Sequence, residues 1–160
     1  MQQLAGVCGF WTYYLYTGDA EFVQEVYRYA KDYVGLWTLG ADGLVNHRAG
    51  SWDWADWGAD FDIPTLENAW YYKALDCVIR MAKLTGNEAD IAELEQKAET
   101  VYGAYQSFWT KDGYRSPSVA VPDDRSNAMA VLSGLADPEK YETIRGNLTT
   151  VMHASPYMER

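Results

Sequence analysis

The sequence contains few of the residues that build metal centres, redox sites and surfaces for polyanions. Its 160 residues include two histidines, His47 and His153, and two cysteines, Cys8 and Cys77, without a CxxC motif or the spacing of zinc ligands. Lys and Arg number 13 against 23 Asp and Glu, and the resulting net charge of −10 argues against nucleic acid and anionic membranes as partners. No apolar run reaches membrane-spanning length. We therefore predict no cofactor, no metal, no nucleic acid and no membrane partner.

Aromatic and acidic residues are instead abundant, and they are concentrated in one short segment. From Ser51 to Gly58 the chain reads Ser-Trp-Asp-Trp-Ala-Asp-Trp-Gly, and Asp60 and Asp62 follow. Because Trp is mostly buried and Asp mostly exposed, this alternation suits neither an ordinary helix nor a strand. In a concave site, indole faces stack on sugar rings while carboxylates accept hydrogen bonds from hydroxyl groups. The predicted substrate-binding residues are Trp52, Asp53, Trp54, Asp56 and Trp57.

A purely structural interpretation of this segment stays open. Its tryptophans would fold back under neighbouring helices, and its aspartates would cap helix ends. Asp60 and Asp62 are better explained as caps or loop braces than as ligand contacts. A calcium site made of Asp53, Asp56, Asp60 and Asp62 would lack the Gly pivot and terminal Glu of an EF-hand loop.

Apolar residues recur at helical spacing along the whole chain, with no convincing alternating strand, and this predicts an all-α protein. The predicted helices span about 4–16, 20–37, 65–84, 88–108, 124–135 and 138–151. Asp19 and Asn87 are the predicted caps of the second and fourth helices. On the first helix, an aromatic stripe is assigned mostly to the core; it comprises Phe10, Trp11, Tyr13, Tyr14 and Tyr16. Cys8 and Cys77 are predicted to be buried free thiols.

An internal repeat organises these helices into hairpins. The Thr-Gly-Asp turn at 17–19 recurs as Thr-Gly-Asn at 85–87, and Asp-Gly turns follow at 42–43 and 112–113. Chain order then places the tight turns at one end of the hairpins and the long loops, 38–64 and 110–123, at the other. Loops grouped at one end of a rigid scaffold commonly carry a functional site. The Trp/Asp segment lies in the first of these loops.

These features resemble the six-hairpin (α/α)6 toroid glycosidases, and in particular the catalytic domain of the bacterial α-L-rhamnosidases, glycoside hydrolase family seventy-eight. The resemblance is carried by residues 13–19, 52–58 and 154–159, which read YYLYTGD, WDWADWG and ASPYME. It covers nearly the whole chain. It implies helical hairpins that form about half of an (α/α)6 toroid, with residues 1–160 as a fragment of one catalytic domain.

The resemblance also implies a reaction and a division of roles. The family hydrolyses terminal α-L-rhamnosides with inversion, which needs a general acid and a general base on opposite sides of the sugar. Neither motif occurs in this chain, so we assign no catalytic residue and expect the isolated fragment to be inactive. Asp53 and Trp54 match the family's Asp-Trp pair, while Trp52 and Trp57 would stack and Asp56 would bind a hydroxyl group. The implied partner is a rhamnose-containing glycan or glycoside.

Two alternative functions stay open beside the rhamnosidase interpretation. Another six-hairpin glycosidase is the nearest alternative, and a non-enzymatic helical-repeat interaction module is the alternative from a different class.

Asp123, Asp124 and Arg125 are interpreted as a capped helix start with a local ion pair. His47 and Arg48 form a basic patch that would face the loop's own aspartates. Half of a toroid would also expose an apolar face, which predicts self-association.

Overall fold

The computed structural model describes residues 1–48, 50, 53, 55 and 61–150, and this part of the chain is predominantly helical. The helices are α1 (Gln2–Thr17), α2 (Ala20–Gly35), α3 (Ile63–Thr85), α4 (Glu88–Tyr105), α5 (Asp124–Ser133) and α6 (Tyr141–Thr150). Short 3-10 turns at Gln106–Phe108 and Pro138–Lys140 precede a short strand and α6, respectively. The all-α prediction is confirmed.

The long helix α3 is the centre of the fold. It packs against α1, α2, α4 and α5, and buried residues lie on most of its circumference, as expected of a helix surrounded by others. One side of the core joins α3 to α1, α2 and α4 around residues such as Leu75 and Val78. The other side joins it to α5 and α6 around Tyr105 and Tyr114. Because α3 is packed on several sides, its N-terminal turns give the long segment 36–62 a fixed end point.

The two tight turns between helices have the predicted backbone geometry, but only one of the predicted caps makes a side-chain capping hydrogen bond. Gly18 and Gly86 adopt positive φ angles of 70° and 72°, which glycine tolerates without strain. The Asp19 carboxylate accepts a hydrogen bond from the Phe22 backbone N–H at 2.9 Å and caps α2. Asn87 occupies the N-cap position of α4 as predicted, but its side chain makes no capping hydrogen bond, and its amide donates to Thr85 Oγ1 at 2.6 Å.

The second Asp-Gly turn closes a short antiparallel β pair, which the sequence did not predict. Strands β1 (Trp109–Thr110) and β2 (Gly113–Tyr114) pair Trp109 with Tyr114 and Thr110 with Gly113. An isolated bridge between Leu39 and Val45 closes the first Asp-Gly turn in a similar way. Two-residue strands are too short to show an alternating pattern, so periodicity could not reveal them.

The aromatic stripe of α1 is less buried than predicted. Phe10, Trp11 and Tyr14 pack partly against the core, but Tyr13 is 44% exposed and Tyr16 is 87% exposed. The core assignment of these last two residues is therefore wrong.

No helix in the described part of the chain is both long and apolar enough to span a bilayer. Cys8 and Cys77 are both free; Cys77 is buried and Cys8 is partly buried.

Candidate functional site

The two long interhelical segments meet at the N-termini of α3 and α5. The Asp62 carboxylate, which immediately precedes α3, accepts a hydrogen bond from the Ser116 backbone N–H at 2.8 Å. In return, the Asp62 backbone N–H lies 3.5 Å from Asp123 Oδ2, just before α5. Asp62 and Asp123 are both fully buried. The predicted grouping of the long loops at one end of the scaffold is thus confirmed, and Asp62 braces the loops as expected.

Arg125 ties the start of α5 to the first long segment. Its Nε donates to Asp123 Oδ1 at 2.8 Å, and Asp123 also caps α5 through the Arg125 backbone N–H. The guanidinium continues to the Ala55 carbonyl oxygen at 3.2 Å and lies over the Phe61 ring at 4.6 Å. Burial raises the pKa of the Asp123 carboxyl, and the Arg125 cation opposes that rise. The predicted capped helix start with a local ion pair is confirmed. The contacts of Arg125 with Ala55 and Phe61 in the first long segment were not predicted.

His47 lies between two carboxylates that belong to different parts of the site. Its Nδ1 is 2.9 Å from Glu67 Oε2, and its Nε2 is 3.4 Å from Asp53 Oδ1. Glu67 is buried in the second turn of α3, whereas the Asp53 side chain is 41% exposed. Burial raises the pKa of the Glu67 carboxyl above its ordinary value of 4.5. Hydrogen bonds from His47 and from the Arg48 backbone oppose this rise. The predicted contact between the basic patch and a loop aspartate is confirmed for His47.

Arg48 contacts the end of α2 and no loop aspartate among the described residues. Its guanidinium donates to the Leu36 carbonyl oxygen at 2.9 Å and lies over the Trp37 ring at 5.6 Å. The interpretation of Arg48 as a partner of these carboxylates is therefore corrected. Its side chain fastens the start of the long segment to the end of α2.

Asn68 fastens the same segment to α3. Its Oδ1 accepts from the Val45 backbone N–H at 2.9 Å, and its Nδ2 donates to the Pro64 carbonyl oxygen at 2.8 Å. Sequence reasoning missed both Glu67 and Asn68. Two adjacent polar residues inside the apolar helix start at 65–69 were the only signal for them. That signal does not identify partners about twenty residues away.

Of the five predicted substrate-binding residues, only Asp53 belongs to the described part of the chain. Trp52, Trp54, Asp56 and Trp57 lie outside the described residues, as does Asp60. Asp53 is at the loop end of the scaffold, partly exposed and paired on one side with His47. Its carboxylate is thus both ordered by a neighbour and accessible to a polar ligand. Among the described residues, no group of three or more His, Cys, Asp or Glu side chains has an arrangement for holding a metal.

The described residues thus form an all-α scaffold of helical hairpins with acidic, braced loops at one end. The chain belongs to the bacterial α-L-rhamnosidase six-hairpin glycosidase domain family, whose model matches residues 3–158. Membership of this family favours the glycosidase interpretation over a helical-repeat interaction module.

Two solved structures have a similar fold. One is the glycoside hydrolase family seventy-eight rhamnosidase of Bacillus sp. GL1, with a TM-score of 0.78, 21% identity, and coverage of 91% of this chain and 17% of that one. The other is a rhamnosidase from Klebsiella oxytoca with rhamnose bound, with a TM-score of 0.80, 21% identity, and coverage of 94% and 30%. The chain thus spans less than a third of either protein. No curated protein matches the sequence.

Proposed function

We propose that this chain supplies substrate-binding residues to the catalytic domain of an inverting glycoside hydrolase that acts on terminal α-L-rhamnosides. Residues 1–160 would form about half of an (α/α)6 toroid in that domain. The observation that carries the proposal is the family match over residues 3–158. The rhamnose-bound relative of the same fold makes rhamnose the first sugar to test.

The loop chemistry supports binding of a neutral sugar. Asp53 offers a partly exposed carboxylate at the loop end of the scaffold, and charged acceptors form strong hydrogen bonds with hydroxyl donors. In this proposal Asp53 and Asp56 bind hydroxyl groups, Trp52 and Trp57 stack on the sugar or its aglycone, and Trp54 forms the Asp-Trp pair with Asp53 at the rim of the sugar site. A net charge of −10 does not oppose a neutral glycoside.

In this proposal, the groups that carry out the chemistry lie outside the chain. Inversion requires an acid that protonates the leaving oxygen and a base that activates water on the opposite face of the ring. Among the described residues, three carboxylates are buried: Asp62, Glu67 and Asp123. Asp62 and Asp123 contact backbone N–H groups or Arg125 and hold the loops together, while Glu67 is paired with His47. We therefore assign Asp62 and Asp123 a bracing role, and we expect the chain alone to be inactive.

The test is hydrolysis of aryl α-L-rhamnosides by the intact protein that contains this chain, with proton NMR of the first-formed sugar. The expected result is release of rhamnose with inverted anomeric configuration, and no turnover by residues 1–160 alone. Turnover of a different aryl glycoside but not the rhamnoside would contradict the substrate assignment. A product with retained configuration would contradict the mechanism.

The binding role of Asp53 is tested by Asp53→Asn, with Glu25→Gln as the matched control because Glu25 is exposed on α2. Loss of a charged acceptor for a hydroxyl group is expected to raise KM by about tenfold or more, since such bonds are worth roughly 1.5–3 kcal/mol. Glu25→Gln should leave KM unchanged. An unchanged KM in Asp53→Asn would remove Asp53 from the substrate-binding set.

A further inference from the structure

The His47 imidazole connects a fixed carboxylate to an accessible one. Its Nδ1 meets Glu67 Oε2 at 2.9 Å, on the helix at the centre of the fold. Its Nε2 meets Asp53 Oδ1 at 3.4 Å, in the aromatic and acidic segment. The Glu67 side chain is 3% exposed, whereas the His47 and Asp53 side chains are 46% and 41% exposed. The imidazole is therefore anchored at its buried end and acts on the loop at its exposed end.

The two contacts differ in kind. Nδ1 lies at hydrogen-bond distance from the buried Glu67 carboxyl, so this contact fixes the position of the ring. Nε2 and Asp53 Oδ1 are 3.4 Å apart, a longer ion-pair contact on the exposed side of the ring. A ring that is fixed at one nitrogen presents the other nitrogen to Asp53 in a defined direction.

Among the described residues, two further groups act on Glu67. Glu67 also accepts a hydrogen bond from the Arg48 backbone N–H, and the α-amino group of Met1 acts on it electrostatically. The Arg48 guanidinium is directed to the Leu36 carbonyl oxygen and the Trp37 ring. Among the described residues, His47 is thus the side chain that links Asp53 to α3.

We propose that His47 is a positioning residue, which holds the Asp53 carboxylate in the orientation that binds the substrate's hydroxyl groups. This inference rests on the proposed function, in which Asp53 binds the sugar. His47 contacts no reacting atom in this scheme. It acts only through Asp53, so its loss affects substrate affinity more than turnover.

The functional test compares His47→Gln with wild type in the intact protein. The Gln amide can still donate to Glu67, which spares the buried carboxylate, but it lacks the second ring nitrogen that contacts Asp53. We expect KM for an aryl α-L-rhamnoside to rise on the order of tenfold with little change in kcat. Equal KM values in the two proteins, or a loss confined to kcat, would overturn the proposal.

A spectroscopic test separates this inference from the proposed function. In nitrogen-15 NMR spectra recorded at one fixed pH, we expect the His47 imidazole signals to differ between wild type and Asp53→Asn. Asp32→Asn, an exposed change on α2, should leave these signals as in wild type. Unchanged His47 signals in Asp53→Asn would overturn the link even if rhamnosides are hydrolysed. Absence of rhamnoside turnover by wild type with the NMR signature intact would overturn the proposed function and leave the link in place.

Discussion

Glu67 is an acidic residue at a position where the fold excludes water. It lies near the start of α3, is 2% exposed, and depends on His47 and the Arg48 backbone for hydrogen bonds. A buried carboxylate without partners would strongly destabilise the folded state. The sequence allowed His47 and Arg48 to be assigned to loop carboxylates, and this was right for His47 and wrong for Arg48. Glu67 escaped prediction because burial of one polar residue depends on tertiary contacts that spacing along a helix does not encode.

Replacement of Glu67 by Gln tests the cost of this buried charge. Burial raises the pKa of Glu67 in the folded protein above 4.5. Between pH 4.5 and this raised pKa, the folded protein therefore binds more protons than the unfolded chain. Wild-type stability therefore contains a contribution that is present below pH 4.5 and is lost as pH rises through the raised pKa. The free energy of unfolding of Glu67→Gln, relative to wild type, should increase between pH 4.5 and pH 7 in urea titrations.

The matched control for this change is Glu25→Gln, at an exposed position on α2. It should follow the wild-type pH dependence throughout the interval. A Glu67→Gln curve that runs parallel to wild type would show that Glu67 ionises in the folded protein as it does in the unfolded chain.

At the scale of elements, helix number and order followed from apolar spacing, while helix ends depended on local chemistry. The predicted helix at 20–37 ends at Gly35, because the Leu36 carbonyl oxygen is bound by Arg48 and the chain turns into the bridge between Leu39 and Val45. The predicted helix at 88–108 changes to a 3-10 turn after Tyr105 and leads into β1. Both deviations occur where the chain enters a long segment, so they reflect contacts between segments rather than helix propensity.

Gly113 shows how the second long segment is held against α5 and α6. It adopts a φ of 133°, and a Cβ atom there would lie 2.9 Å from Asn127 Oδ1 and closer still to the Asn147 side-chain nitrogen. Asn127 also accepts from the Tyr114 backbone N–H at 2.9 Å and donates to the Tyr114 carbonyl oxygen at 2.9 Å. The β pair is therefore packed directly on these two asparagines.

We expect Gly113→Ala to destabilise the protein by about 2 kcal/mol or more, from backbone strain and from displacement of the asparagines. Gly103→Ala is the matched control, because Gly103 lies in α4 with nothing within 4 Å of an added Cβ. That change should stabilise by roughly 0.5–1 kcal/mol through helix propensity. Urea unfolding of both variants measures the difference, and equal stabilities would refute the close packing at Gly113.

At the scale of the whole molecule, α1 is covered on only part of its surface. Leu4 and Val7 are the residues of α1 that are fully buried, while Leu15 is 65% exposed and Tyr16 is 87% exposed. The predicted aromatic core of this helix is thus partly an outer face. Such a face fits the proposal that the chain is about half of a toroid, because in a closed ring each hairpin packs against neighbours on both sides.

The chain alone should therefore associate with itself through α1. Sedimentation velocity is expected to give a mass that rises above 18.1 kDa with concentration. The double variant Leu15→Glu/Tyr16→Glu should remain at the monomer mass, since two carboxylates on the face oppose its burial. Leu132→Glu is the control: Leu132 is 66% exposed on α5, and its change should leave association as in wild type. A wild-type chain that stays monomeric at every concentration and unfolds cooperatively would contradict the incomplete-ring proposal, because α1 would then need no neighbour.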